Sequence, residues 1–104
     1  MDAETLFEEL AETLVELRGV ERVKMMGYPS LKHRGKLLAC FVRDEDAMVF
    51  KLPDPADREA ALALEGAHLF EPMAGRPMKE WVAVPASSGD RWADLADQAI
   101  GWAA

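Results

Sequence analysis

Between Gly75 and Pro85 the chain spells out a strand with both ends marked. Gly75-Arg76-Pro77 reads as a turn, and Met78–Val84 carry strand character. Pro85 stops the run because it has no N–H to give to a ladder. Ser87-Ser88-Gly89-Asp90 follows at once as a helix start, with Ser87 or Ser88 as cap, so the strand is expected beside a C-terminal helix. A second segment adds a further limit. Along Lys36–Arg43, Leu37, Ala39 and Phe41 alternate with Leu38, Cys40 and Val42, apolar on both sides. That pattern predicts a central strand covered on both faces.

The remaining elements follow from period and punctuation. Leu6, Phe7, Leu10, Leu14 and Leu17 recur at helical spacing, with Glu8, Glu9, Glu12 and Glu16 off the stripe. Asp2 is the expected N-cap and Gly19 the C-terminal stop. Val20–Met26 reads as a strand with Val23 and Met25 opposite Arg22 and Lys24, broken at Gly27-Tyr28-Pro29. Ser30–His33 is a short strand, Arg34-Gly35 a two-residue hairpin turn, and Ala47–Leu52 a returning strand. Pro53-Asp54-Pro55 starts a second helix that runs to Gly66, with Asp54 as cap and Pro55 at the first helical position. His68-Leu69-Phe70 is a short extended piece. The last helix buries Trp92, Leu95, Ala96, Ala99, Ile100 and Ala103, and Trp92 and Trp102 both read as core or dimer seam. Met25, Met26, Met48, Met73 and Met78 read as adaptable packing residues. The expectation is a single α+β domain over 1–104, in two layers. An antiparallel sheet of about five strands carries helices on one face, in the order α-β(3-4)-α-β(2)-α.

Bulk properties narrow the function classes. Half of the 104 residues are apolar and 30% are charged, an ordinary globular balance. No apolar run reaches the roughly 20 residues of a membrane span. Met1-Asp2-Ala3-Glu4 lacks the layout of a secretory signal, and the single cysteine cannot form an internal disulfide, so a cytoplasmic protein with no membrane partner is expected. The net charge of −7 opposes non-specific attraction to nucleic acid, but it is unevenly spread. Residues 1–21 hold seven acids and one base, whereas residues 22–52 hold seven bases and three acids. Acid is therefore expected on the helices and base on the strands.

With these elements placed, the chain resembles the MmcQ/YjbR family, which is related to the N-terminal domain of the competence regulator TfoX. The resemblance is carried by Met26-Gly27-Tyr28-Pro29, the Lys32-to-Phe41 hairpin with Gly35-Lys36, the Val49-to-Pro53 strand end, and Phe70-Glu71-Pro72. Gly75-Arg76, Met78-Lys79-Glu80-Trp81-Val82, Pro85 and the Trp92-to-Trp102 helix complete it. It covers nearly the whole chain and departs at His33-Arg34, where smaller turn residues are expected. The resemblance implies a two-layer fold similar to secretion chaperones and a DNA-binding role.

Strand alternation places Arg22, Lys24, Lys51, Lys79 and Trp81 on the sheet face turned away from the helices, and Arg34, Lys36 and Arg76 in turns that extend it. Lysines beside an aromatic ring suit a surface that stacks bases and follows phosphates. The same face could equally meet a second copy or a peptide in a chaperone-like homodimer, or simply be solvated. Enzyme signals are thin. His33 and His68 stand apart without metal-ligand spacing, Cys40 lies among apolar neighbours, and there is no glycine-rich phosphate loop. No catalytic residue, metal or cofactor is expected.

Overall fold

The computed structural model describes residues 2–72 and 75–103. Met73, one of the methionines expected to pack, lies outside the described residues. Three helices, α1 (Ala3–Arg18), α2 (Pro55–Leu62) and α3 (Trp92–Ala103), accompany six strands. These are β1 (Glu21–Met25), β2 (Tyr28–His33), β3 (Lys36–Val42), β4 (Ala47–Lys51), β5 (His68–Leu69) and β6 (Trp81–Pro85). Every pairing is antiparallel, in the order β1-β2-β3-β4-β6-β5. The architecture is the expected α+β one, with six strands rather than about five.

Local chemistry sets the element ends. Asp2 accepts from the Thr5 N–H at 2.8 Å, Asp54 accepts from the Ala56 N–H at 2.8 Å ahead of Pro55, and Gly19 closes α1 in the left-handed region. Arg34 and Gly35, with φ of 52° and 80°, make the tight turn between β2 and β3. A second such turn was not anticipated. Met26 and Gly27 have φ of 53° and 82°, so β2 begins at Tyr28 and includes Pro29. Met25 and Tyr28 flank this turn as a bonded pair, so the backbone of Pro29 points toward β3. Proline has no N–H to offer there, and the β2–β3 ladder stops at Ser30 with Cys40.

Three further expected boundaries shift, the first being the end of α2, which stops at Leu62 rather than running to Gly66. β6 starts at Trp81 rather than Met78, because the Met78 N–H is bound to the Phe70 carbonyl at 2.8 Å and Trp81 closes a turn back onto Met78 at 3.1 Å. The last helix has a 3-10 segment, Ala86–Arg91, before Trp92, in place of a serine-capped start. Gly89 in this segment lies under α1, where an added Cβ would come within 2.9 Å of Leu6 Cδ1.

All three helices pack on one face of the sheet. Phe7, Ala11 and Leu14 of α1, Ala61 of α2 and the whole expected stripe of α3 meet Leu31, Ala39, Phe41, Met48, Phe50, Val82 and Val84. Phe7 stacks on Phe41 with centroids 5.2 Å apart, and the buried Trp92 indole N–H donates to the Val84 carbonyl at 3.0 Å. Leu17 does not join the stripe. It is 73% exposed at the end of α1, one turn past the last buried residue, Leu14.

The other face is covered too. Cys40, Val42, Val49, Trp81 and Ala83 form a second apolar cluster under Phe70 and Met78, with Tyr28 set edge-on to Phe70 at 6.1 Å. The strand read as apolar on both sides, β3, is buried on both for this reason. No described helix is long and apolar enough to cross a membrane.

Candidate functional site

The basic residues expected on one open face are divided by the register. Arg22 stands opposite Leu31, and Lys24 opposite Pro29, so both project on the helix side. Arg22 is occupied there: its guanidinium binds both carboxylate oxygens of Glu8 at 2.9 and 2.8 Å and lies 5.6 Å from the Phe7 ring centroid. This hydrogen bonding holds the Glu8 carboxyl below its ordinary range and raises Arg22. Lys24 lines a cleft of about 380 Å³ with Tyr28, Pro29, Arg43 and Asp44, where the proline has ended the ladder. Arg43 is itself paired with Glu4 at 2.9 Å.

The far face carries Lys51 and Trp81, cross-strand partners, over an apolar layer rather than an open basic sheet. Arg76 is exposed on the segment before β6. The expectation that bases line the strands and acids the helices holds by segment. It fails as a picture of two opposed surfaces, because the acids of α1 reach across and neutralise Arg22 and Arg43.

What the fold does gather is one end of the sheet. Lys36 begins β3, Lys51 ends β4 and Trp81 begins β6, and antiparallel pairing puts these three termini together. The Arg34-Gly35 turn projects at the same end, and Lys79 precedes Trp81 by two residues. The C-terminal turn of α3 adds Trp102, which is 39% exposed. The Lys51 ammonium lies 5.4 Å from the Trp81 ring and 5.5 Å from the Trp102 ring, and the Lys36 ammonium lies 5.2 Å from Trp102. Ring faces carry negative potential, which favours ammonium groups in these positions. Glu80 holds Lys51 at 2.9 Å. Lys32, Arg34, Lys36 and Lys79 make no ion pair among the described residues. An acidic protein thus presents a local basic end built around an indole.

Trp102 was not among the residues singled out for binding. Its signal in the sequence was faint: at about 100° per residue it falls at the edge of the buried stripe of α3, beside Leu95, where period alone does not separate it from the core. His33 faces Lys36 across the same hairpin, with a buried Nδ1 that has no hydrogen-bond partner among the described residues.

Other reactive side chains are held in structural settings. Cys40 is buried, and its thiol is pushed up to about 12, chiefly by burial and further by Glu45. His68 bridges Glu45 at 3.0 Å and the Gly66 carbonyl at 3.2 Å. Among the described residues no group of three or more His, Cys, Asp or Glu side chains is placed to hold a metal ion. Comparison with protein-family models, curated proteins and solved structures finds no match to this chain, so the site stands on its own geometry.

Proposed function

We propose that the protein is a small non-enzymatic, MmcQ/YjbR-like cytoplasmic binding module that holds single-stranded nucleic acid at the Lys36–Lys51–Trp102 end of its sheet. The observation that carries this reading is the exposed Trp102 ring with two ammonium groups against it, at 5.2 and 5.5 Å. A nucleobase can take a face of that ring, a contact worth about 1–3 kcal/mol, while the ammoniums turn to its flanking phosphates. Arg34 and Lys79 lengthen the track. The acidic remainder of the molecule repels the phosphate backbone, which confines the footprint to a few nucleotides and makes the interaction modest.

Four cations at most give a log–log salt slope of about −3 or shallower. The test is anisotropy of a labelled single strand at low and moderate salt. Lys36→Glu should lose most of the binding, whereas Lys24→Glu, at the opposite end of the sheet, should change it little. Absence of binding at low salt, or equal losses from the two variants, overturns the reading.

A second reading is a homodimeric protein- or peptide-interaction module. One observation favours it: Met26 is 61% exposed at its turn, beside a small apolar recess lined by Met25, Cys40, Phe70, Met78 and Trp81. A dimer that persists on dilution in sedimentation and dissociates in Met26→Asp would support it.

A further inference from the structure

Next to Trp102 the surface sinks into a hollow of about 350 Å³, lined by Trp102, Pro53, Gly101, Asp54, Asp57 and Gln98. The size is at the lower end of the range for small-molecule sites, about 300–1,000 Å³. It is open above Gly101, where a Cβ built on the backbone would meet nothing within 4 Å. Its flat walls are an indole and a proline ring. Its polar atoms are mostly acceptors. Asp54 spends one oxygen on the Ala56 N–H at 2.8 Å and keeps the other, and the half-buried Asp57 makes no side-chain hydrogen bond or ion pair among the described residues. Gln98 adds an amide that can both donate and accept.

This chemistry differs from that of the lysines on the same ring. Two carboxylates repel a phosphate and leave acceptors waiting for N–H donors. Resting on the nucleic-acid reading above, we infer that the hollow receives the base stacked on Trp102 and selects bases with an exocyclic amino group. Cytosine offers N4–H₂ and adenine N6–H₂ to a carboxylate, and guanine offers N1–H and N2–H₂ together. Thymine and uracil have one N–H between two carbonyl oxygens, and those oxygens would face the carboxylates. The phosphates stay outside, on Lys36 and Lys51. Division of labour between a positive rim and a negative pocket lets an acidic protein hold a polyanion by one or two bases.

The experiment compares end-labelled oligo(dC) and oligo(dT) of equal length at neutral pH and low salt, so that stacking area and charge are matched. The wild-type protein should bind oligo(dC) about tenfold or more tightly than oligo(dT), the scale of one hydrogen bond to a charged acceptor. Asp57→Asn should weaken oligo(dC) and, with one carboxylate fewer facing the thymine oxygens, strengthen oligo(dT), so that the preference closes. Gly101→Leu fills the hollow from an exposed helical position, where leucine suits a helix better than glycine, and should also abolish the preference. Equal wild-type affinities, or a preference that survives both variants with unchanged melting temperatures, overturns the base selection and leaves the nucleic-acid reading standing. No binding of either strand overturns both.

Discussion

Raising the pH should destabilise this protein through Cys40, and the size of the effect follows from where that thiol sits. Cys40 is 4% exposed in the middle of β3, opposite Val49 and within the apolar layer under Phe70 and Trp81. Burial, with Glu45 adding repulsion, lifts its thiol from 9.0 to about 12. An unfolded chain therefore releases the proton near pH 9, while the folded chain keeps it until about pH 12. Between those values the folded state binds more protons than the unfolded one, so stability falls as pH rises. The slope is about 1.4 kcal/mol per pH unit, or roughly 3 kcal/mol lost by pH 11. Cys40→Ala removes the titrating group at a baseline cost of about 1–2 kcal/mol from the lost sulfur packing. The assay is urea unfolding at successive pH values, followed by the fluorescence of the buried Trp92. Lysine and tyrosine titrations are common to both proteins, so the informative quantity is the difference between them. The wild-type advantage at neutral pH should shrink and then reverse above about pH 10. Parallel curves from pH 8 to 11 would mean that the thiol is not held in an apolar layer, and the two-sided burial of β3 would fall with it.

Three further outcomes are expected. Trp92→Phe leaves the Val84 carbonyl without its indole donor and opens a small cavity, and should cost about 3 kcal/mol, a loss of more than about 10 °C in Tm by calorimetry. Leu17→Lys, at a 73% exposed position, should change stability by less than about 0.5 kcal/mol, whereas Leu14→Ala one turn earlier should cost about 2–3 kcal/mol in chemical denaturation. The Glu8 carboxyl is depressed by Arg22, so its contribution is present above the unfolded value near 4.5 and is lost as pH falls below it. Glu8→Gln should therefore narrow the gap to wild type in acid. That gap stays under about 1 kcal/mol at neutral pH, because water and salt screen the pair.

Much of the fold was legible because it is written in local rules. Asp2, Gly19, Asp54-Pro55 and Arg34-Gly35 act through their own backbone neighbours, and each sits where its chemistry requires. The α3 stripe was equally plain, since twelve residues at one period leave little choice of face. The side of the sheet was harder to read. Alternation in β1 separates Arg22 and Lys24 from Val23 and Met25, but period two does not say which set looks toward the helices. The usual assumption puts the apolar set there. In this fold, Val23 and Met25 turn to the far side, where Met25 adjoins the recess of Phe70 and Met78, and Arg22 reaches Glu8 from beyond the core. The segment Phe70–Met78, with no periodicity of its own, supplies the cover that alternation could not reveal. The candidate site was half legible for the same reason. Lys36, Lys51 and Trp81 were identifiable as strand residues, but their meeting with Trp102 depends on where α3 ends against the sheet.

The most direct test of the binding end is a nitrogen–proton correlation spectrum recorded during titration with a single-stranded oligonucleotide. The chain has three indole N–H groups, on Trp81, Trp92 and Trp102. The Trp102 resonance should move most, accompanied by the amides of residues 33–36, Lys51 and Leu52. Trp92, locked on Val84 inside the core, should stay in place. Shifts centred instead on Lys24 and the Met26-Gly27 turn, or no shifts at all at low salt, would contradict the account.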